Sequence, residues 1–366
     1  MKKYISINIT NNCNLNCKYC YENFKEKKNI SIRILDEILS KELNYVSNSD
    51  EYESIEIQPF GGEPFLNFDA IKHITTYVRN NPIDKEVVIY IITNGTLVHG
   101  EIQKWLVENK DLVHCGLSLD GTRDMHNLNR CNSYDRIDVN FFIKNYPLQP
   151  VKMTIAPNTI SRLAEGVIHC HELGFLVNCN LCYGVDWSDP SIIDTLNHEL
   201  ETLVGYYLRN SKVIPCSMLN QFISARTESE FCKKWCGVGT GTFSYNLDGV
   251  KYPCQYFMPI SIGEKSEDVC NIVFLDSFPR SDLNNECNRC TLEPSCPTCY
   301  GQNFLDTNNI YHRDMRRCHL MKAIIKARCY LMIEEWKAGT IKYCESEQSE
   351  ILDSIIKIYN SGDLNI

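Results

Sequence analysis

The stretch "YISINITNNCNLNCKYCYE", residues 4–22, passes from a strand pattern directly into three closely spaced cysteines. Its first seven residues are rich in β-branched side chains and predict a strand over 4–10. Cys13, Cys17 and Cys20 follow on the next loop. A disulfide uses two thiols, and a structural zinc usually takes four ligands. Three thiolates instead suit an iron–sulfur cube whose fourth iron stays open for a small molecule.

The composition is ordinary for a globular protein except for its cysteines. The chain has 366 residues, a formal net charge of -9 and 43% hydrophobic residues. An acidic chain rarely binds nucleic acid, and no apolar run reaches the roughly 20 residues that span a bilayer. We therefore expect no nucleic acid, no membrane and a cytoplasmic location. In a reducing compartment, 20 cysteines indicate metal binding more often than disulfides.

Strand-like runs alternate with helix-like segments up to about residue 210. The candidate strands are 4–10, 54–60, 86–93, 112–119, 151–157 and 175–183. A helix is predicted over 31–46, with Ser31 as its N-cap. Six successive β/α units predict parallel strands, arranged as a partial (β/α)6 TIM-like barrel or as a doubly wound sheet. Both folds bind ligands at the C-terminal ends of the strands, where the three cysteines lie.

The pattern changes after about residue 212. Residues 231–318 show little periodicity and many Cys, Gly, Pro and Asn residues, so this part needs covalent or metal staples. We therefore predict four consecutive parts. They are a barrel over 1–211, a bridging segment over 212–230, a cysteine-rich domain over 231–330 and C-terminal helices over 331–366.

The first cysteine motif resembles the signature of the radical S-adenosylmethionine (SAM) enzymes, Cys-x3-Cys-x2-Cys with an aromatic residue before the last cysteine. Tyr19 fills that aromatic position. Four further stretches resemble motifs of the same family, in the same order and at strand ends. They are "GGEP" (61–64), "TNGT" (93–96), "LSLDG" (117–121) and "HNLNR" (126–130). The resemblance covers the barrel part of the chain.

This resemblance implies that Cys13, Cys17 and Cys20 hold a reactive [4Fe–4S] cluster. In the family, the amine and carboxylate of SAM chelate the open iron. One electron from the reduced cluster then cleaves SAM to methionine and a 5′-deoxyadenosyl radical, which abstracts hydrogen from a substrate. The electron donor implied for this chain is a flavodoxin or a ferredoxin.

The resemblance also implies a set of SAM-binding residues. They are Tyr19, Gly61, Gly62, Glu63, Pro64, Thr93, Asn94, Ser118 and Arg130. Glu63 would accept hydrogen bonds from the ammonium of SAM, whereas Ser118 and Arg130 would contact its ribose and carboxylate. Arg136 competes with Arg130 for the carboxylate.

Eight of the cysteines in the second half of the chain form a second group. They are Cys232, Cys236, Cys254, Cys287, Cys290, Cys296, Cys299 and Cys318. A zinc ribbon separates its two Cys-x2-Cys knuckles by roughly 15–20 residues, a spacing that this segment lacks. Eight thiolates are what two fully ligated four-iron clusters require.

This segment resembles the SPASM domain, an extension that holds auxiliary clusters in peptide- and protein-modifying radical enzymes. Cys299 departs from the SPASM spacing by lying one residue early. The resemblance implies two ligand sets and thus three [4Fe–4S] clusters in all. One set is Cys232, Cys236, Cys254 and Cys299, and the other is Cys287, Cys290, Cys296 and Cys318. We expect most other thiols, such as Cys115, Cys170, Cys329 and Cys344, to be core residues.

Several functions remain open at this point. The favoured one is a peptide maturase that installs a carbon–carbon or thioether crosslink in a ribosomally made peptide, and the alternative for the same substrate is epimerisation. A second is an anaerobic sulfatase-maturing enzyme, which forms formylglycine. Members of that group commonly have Asp after the cysteine of "YPC" and Phe after the third cluster cysteine. This chain has Gln255 and Tyr21 there, and an amide cannot take a proton. The third is a non-enzymatic, zinc-stapled scaffold.

We predict that Gln255 lies at the substrate, beside an auxiliary cluster, and positions the peptide without acting as a base. The peptide is the expected partner. Because the first strand lies close to residue 1, we expect no leader-binding domain before it. Either the barrel and the cysteine-rich domain hold the peptide, or a separate leader-binding protein presents it.

Overall fold

The structure is a computed structural model that describes residues 1–364, with Cys270 described by its backbone alone. Its strands are β1 (Lys2–Thr10), β2 (Ser54–Gly61), β3 (Glu86–Thr93), β4 (Val113–Leu117), β5 (Val151–Ile155), β6 (Val177–Leu181), β7 (Phe231–Lys233), β8 (Thr242–Tyr245), β9 (Lys251–Tyr252) and β10 (Ser277–Pro279). The last two residues of the predicted 331–366 segment lie outside the described residues.

Helices connect and cover the strands in the described part of the chain. They are α1 (Ile32–Ser47), α2 (Phe68–Asn80), α3 (Gly100–Glu108), α4 (Arg123–Asn129), α5 (Val139–Asn145), α6 (Leu163–Glu172), α7 (Ser191–Arg209), α8 (Pro259–Ile262), α9 (Asn285–Arg289), α10 (Tyr300–Thr307), α11 (Cys318–Lys337) and α12 (Glu345–Ser361). Ser31 caps α1 as the sequence predicts, since its hydroxyl accepts a hydrogen bond from the backbone N–H of Ile34 at 3.3 Å. In the described residues, no helix is both long and apolar enough to cross a membrane.

The first four strands form a parallel sheet, as the β/α alternation predicts. β1 pairs with β2, β2 with β3 and β3 with β4, all in parallel. Ile5, Ile7 and Ile9 of β1 are at most 1% exposed, because β1 is a central strand. Parallel strands place their C-terminal ends at one edge of the sheet. The segments that follow β1 to β4 therefore start from the same edge.

The sheet continues on the other side of β1 with a strand that the sequence analysis does not predict. β8 runs parallel to β1, with Tyr4 opposite Thr242 and Ile7 opposite Tyr245. β9 then pairs with β8 in antiparallel fashion, so the sheet order is β4-β3-β2-β1-β8-β9. β8 has only four residues, which is too short for its periodicity to stand out from the surrounding loops.

The chain forms two compact units. The first comprises Met1–Leu119, His126–Val151 and Cys236–Asp276, and the second comprises Asp120–Met125, Lys152–Trp235 and Ser277–Ile366. In the second unit, β5 pairs with β6, and α7 packs against both α6 and α11. With β5 and β6, the predicted six β/α units are all present in chain order. The four consecutive parts proposed from the sequence remain a proposal.

A buried ion pair joins β1 to α1 in the first unit. The Lys3 ammonium lies 2.6 Å from Glu42 Oε2, and the two side chains are only 3% and 2% exposed. The Tyr245 hydroxyl also donates to Glu42, and Lys251 lies 3.8 Å away. Strands β1, β8 and β9 thus supply polar groups to one carboxylate, which satisfies a charge that burial would otherwise destabilise.

Candidate active site

The three cysteines of the first motif lie on the irregular loop that follows β1. Cys13, Cys17 and Cys20 are all partly buried, and the backbone N–H of Cys20 donates to the carbonyl of Cys17 at 3.1 Å. Burial raises the pKa of Cys13 to about 12, so this thiol is protonated at neutral pH. A metal centre replaces that proton when it binds, and a loop that carries three partly buried cysteines fits such a centre.

The "GGEP" loop packs directly against the cysteine loop. The N–H of Gly62 donates to the Thr10 carbonyl at 3.0 Å, and the N–H of Glu63 donates to the Asn12 carbonyl at 2.9 Å. A Cβ atom at residue 62 would lie 2.3 Å from the Asn12 carbonyl oxygen and 2.8 Å from Cys13 Cβ. Only glycine permits this approach, so the two loops hold each other in place.

Glu63 is a buried carboxylate at the centre of these loops. It is 1% exposed, and it accepts hydrogen bonds from the Thr93 hydroxyl at 2.7 Å and the Asn94 N–H at 2.9 Å. Burial raises its pKa to about 7, although these hydrogen bonds oppose the shift. A cationic ligand would favour the ionised form. The sequence-predicted residues of "GGEP" and "TNGT" are therefore brought together by the structure.

Arg130 and Ser118 lie in the same unit as Glu63. The Arg130 guanidinium carbon is 5.4 Å from the centre of the Tyr19 ring, and the charge of Arg130 lowers the pKa of Glu63 against the larger effect of burial. The backbone N–H of Ser118 donates to the Thr93 carbonyl at 2.9 Å. Arg130 is buried, whereas Arg136 is exposed. Arg130 is thus the more buried of the two arginines, and its role at the carboxylate of SAM stays a prediction.

Two residues at this site escape the sequence analysis. The thiol of Cys131 accepts from the N–H of Asn16 at 3.3 Å and donates to its carbonyl at 3.1 Å, which ties the end of α4 to the cysteine loop. Glu22 is 6% exposed, and burial raises its pKa to about 8. Cys131 directly follows "HNLNR", and Glu22 lies two residues after "CNLNCKYC". This closeness to the motifs is a signal in the sequence, but it does not reveal the contacts that the two residues make.

Gln255 begins the short 3-10 helix that follows Cys254. Its Oε1 accepts a hydrogen bond from the Ser6 hydroxyl at 3.3 Å, and its side chain also hydrogen-bonds the Tyr21 hydroxyl. The Tyr21 ring stacks on Tyr256 with 5.0 Å between the ring centres. The contact with Gln255 opposes the raised pKa of Tyr21, as a donor to the phenol oxygen does, so Gln255 is held through both its carbonyl oxygen and its NH2 group in a partly buried position.

Four cysteines of the second group surround one cavity in the second unit. Cys287, Cys290, Cys296 and Cys318 all line a cavity of about 280 Å³, far larger than the ~30 Å³ share of one water molecule. Burial raises the pKa of Cys287 to about 12 and that of Cys290 to about 11. Four sulfurs around a space for several heavy atoms fit a four-iron cluster, which takes one thiolate per iron.

The other auxiliary ligand set remains a prediction. Cys236 and Cys254 belong to the first unit, and Cys232 and Cys299 belong to the second. Within the residues described, no three Cys, His, Asp or Glu side chains converge closely enough to hold a single metal ion.

Four thiols outside both groups test the expectation that they are core residues. Cys115, Cys170 and Cys329 are fully buried, as predicted. The prediction is wrong for Cys344, which is exposed because it precedes the first turn of α12 at the surface.

A family model decides the classification. The model of the radical SAM superfamily matches residues 7–198, which is more than half of the chain and includes the cysteine loop, the three motifs at strand ends and "HNLNR", which lies at the end of α4. The chain belongs to the radical SAM superfamily. Membership implies SAM and a [4Fe–4S] cluster as cofactors of a radical enzyme, in agreement with the sequence analysis.

Several known proteins are similar to this radical SAM chain. The radical SAM cyclopropyl synthase TigE of Paramaledivibacter caminithermalis is 25% identical over 356 residues, covering 88% of this chain and 73% of TigE. A cysteine-type anaerobic sulfatase-maturating enzyme of Clostridium novyi is 25% identical over 328 residues, covering 78% of this chain and 84% of that enzyme. The uncharacterized protein MJ0907 of Methanocaldococcus jannaschii is 35% identical over 119 residues, which span 32% of this chain and only 39% of that protein.

Solved structures share the radical SAM fold of this chain. Native anSMEcpe with bound AdoMet superposes with a TM-score of 0.66 at 17% identity, covering 93% of this chain and 100% of that one. Streptococcus suis SuiB bound to the precursor peptide SuiA gives a TM-score of 0.56 at 15% identity, with 86% and 76% covered. These similarities confirm the partial barrel.

Proposed function

We propose that this radical SAM enzyme modifies a ribosomally made peptide by installing a carbon–carbon or thioether crosslink. The similarity to TigE extends over most of both chains, and TigE is a cyclopropyl synthase, an activity that forms carbon–carbon bonds. SuiB, which shares the fold, is bound to a precursor peptide. A peptide substrate therefore suits the structural relative SuiB, and a bond-forming reaction suits the sequence relative TigE.

The residues around the cysteine loop have defined tasks in this proposal. Cys13, Cys17 and Cys20 bind the reactive cluster, and Glu63 accepts hydrogen bonds from the ammonium of SAM. Bound together, cluster and SAM supply the 5′-deoxyadenosyl radical that abstracts hydrogen from the peptide. Arg130 and Ser118 hold the carboxylate and ribose of SAM. The hydrogen bonds from Thr93 and Asn94 fix the Glu63 carboxylate before SAM arrives, which reduces the ordering cost of binding.

The remaining SAM-binding residues shape the same site. They are Tyr19, Gly61, Gly62 and Pro64. We also propose two auxiliary clusters, one on Cys287, Cys290, Cys296 and Cys318 and one on the other four cysteines of the second group. A flavodoxin or a ferredoxin supplies the electron, and a separate leader-binding protein is a further candidate partner.

Gln255 is the residue that favours a crosslinking peptide maturase over a sulfatase-maturing enzyme. Its carbonyl oxygen accepts from Ser6, and its NH2 group faces the Tyr21 hydroxyl, so the N–H of that group not used by Tyr21 would donate to a peptide carbonyl. An amide does not titrate near neutral pH. Gln255 therefore positions the peptide, and the formylglycine reaction lacks its usual acid–base group at this position.

The test is anaerobic co-expression with a peptide encoded next to the gene, followed by mass spectrometry. We expect a product lighter by two hydrogens with an unchanged backbone sequence, because one new bond replaces two bonds to hydrogen. A product of unchanged mass that carries one solvent deuterium in D2O would identify an epimerase instead.

A sulfatase-type peptide provides the matched comparison. The native protein should not convert it to formylglycine, whereas Gln255→Asp should gain a trace of that activity if an acid at this position is the missing group. Efficient formylglycine formation by the native protein would refute the proposed crosslinking function.

A further inference from the structure

Arg313 is a buried cation on the wall of the cavity that the four thiols line. Its side chain is 8% exposed, and it shares the cavity lining with Cys287, Cys290, Cys296 and Cys318. Arginine stays charged at any pH at which the protein is folded. Its position therefore places a permanent positive charge beside the space that a cluster would fill.

One N–H group of Arg313 has no acceptor among the residues that the structure describes. Nη1 donates to the backbone carbonyl of Cys296 at 2.9 Å, and Nη2 donates to Glu293 Oε1 at 2.7 Å. Nε is buried and has no acceptor in the described chain. A buried unsatisfied donor on a charged group is costly, so the site is completed by an acceptor that enters the cavity.

The buried charges around Glu293 do not cancel. Glu293 is 4% exposed and faces two arginines, Arg313 at 2.7 Å and Arg280 at 3.5 Å. One positive charge is therefore in excess in this buried group. Three other charged residues line the cavity, but they are partly or fully exposed, so water screens their charges. They are Glu286, Lys322 and Asp363.

The helix that begins at Cys318 adds to the same field. Cys318 is the first residue of α11, which has 20 residues. The N-terminal end of a helix carries a partial positive charge and unpaired N–H groups. The cavity thus combines four thiols with a buried guanidinium and a positive helix end.

We propose that Arg313 tunes the auxiliary cluster on Cys287, Cys290, Cys296 and Cys318, by donating its Nε–H to a sulfur of that cluster and by raising its reduction potential. Reduction adds one electron to the cluster, and a fixed nearby cation stabilises the more negative state. Glu293 is a positioning residue that orients the guanidinium. The inference rests on the auxiliary cluster of the proposed function.

The first test compares midpoint potentials in the full chain, reconstituted anaerobically and titrated with dithionite. Replacing Cys13, Cys17 and Cys20 by Ala confines the EPR signals to the auxiliary clusters. In that background, Arg313→Gln should shift the midpoint potential of one cluster to a lower value. Arg316→Gln is the matched control, since the Arg316 side chain is 52% exposed and is paired with Asp314; it should shift neither potential. Arg313→Gln with full iron and an unshifted midpoint would overturn the proposal.

The second test detects the hydrogen bond from Arg313 to the cluster in the native protein. It therefore does not depend on the assembly of a variant. In protein labelled with 15N-arginine, pulsed EPR of the reduced auxiliary clusters should show a 15N hyperfine coupling. Arg313→Lys should abolish the coupling, and Arg316→Lys should retain it. Full iron without the coupling would overturn this inference alone. Native protein that takes up only about four irons would overturn both the auxiliary clusters and the inference.

Discussion

Glu42 shows at the scale of one residue how burial decides the importance of an ion pair. Burial alone would raise the pKa of Glu42, but hydrogen bonds from Lys3 and Tyr245 and the charge of Lys3 outweigh it and hold the pKa below its usual value. The pair Arg33–Glu37 lies on the same helix α1 but is largely exposed. Glu42 and Glu37 are the same residue type on the same helix, so their different burial follows from the face of the helix on which each lies.

Glu42→Gln should lower the free energy of unfolding by about 3 kcal/mol, because it leaves the Lys3 charge buried without a counter-charge. Glu37→Gln is the control and should change it by at most about 0.5 kcal/mol, as for other surface pairs. Anaerobic chemical denaturation of the two variants beside the native protein measures both effects. Equal losses would show that the Lys3–Glu42 pair contributes no more than a surface pair.

The pH dependence of this difference follows from the lowered pKa of Glu42. The unfolded chain titrates near the ordinary glutamate value of roughly 4.3, and the folded protein titrates below it. The stabilisation by Glu42 is therefore complete above that value and is lost as pH falls through the folded pKa. The stability gap between native protein and Glu42→Gln should narrow as the pH falls from 5 towards 3. A gap that widens over this range would contradict the lowered pKa.

At the scale of elements, the loops after β1 and β2 form one unit around the cysteines. Gly61 has φ +147, and a Cβ there would lie 2.0 Å from the Thr10 carbonyl oxygen. Gly62 approaches Asn12 and Cys13 nearly as closely. The two glycines therefore determine how near the "GGEP" loop comes to the cysteine loop.

Gly62→Ala should displace the cysteine loop and cost the iron of the first cluster, about four of 12 atoms by ligand count. Gly241→Ala is the control, because nothing lies within 4 Å of a Cβ at Gly241. Iron and sulfide analysis after anaerobic reconstitution gives the result. Full iron and normal SAM cleavage in Gly62→Ala would show that the loops can separate without harm.

At the scale of the whole molecule, the eleven proposed ligands require three clusters. Reconstituted native protein should contain about 12 irons, and replacement of Cys13, Cys17 and Cys20 by Ala should leave roughly eight. The same variant should form no 5′-deoxyadenosine with dithionite and SAM. Cys115→Ala, which removes a buried strand thiol, should keep all the iron. Zinc in place of iron would refute the cluster assignment.

Much of the molecule is predictable because its information is local. The alternation of apolar runs over residues 4–183 predicts six strands, and each forms within a few residues of its expected position. The Cys-x3-Cys-x2-Cys spacing and the motifs at the strand ends identify the family. A parallel β/α chain brings successive strand ends to one edge, so residues that follow consecutive strands, such as Glu63 and Thr93, meet without further information.

Only the tertiary structure decides the features that depend on distant or short segments. β8 pairs with β1 across more than 230 positions of the chain. Its four residues are too few for their periodicity to predict a strand. Cys131 binds Asn16 through its thiol, and Arg313 and Glu293 meet beside the four thiols, although nothing in their spacing distinguishes them from surface residues. The sequence by itself determined the six strands of the β/α alternation and the family, because these follow from local periodicity and from the spacing of the motifs, whereas the cysteine ligand sets that the resemblance implies stay predictions. Packing decided which charges became buried, because burial depends on contacts between segments far apart in the chain.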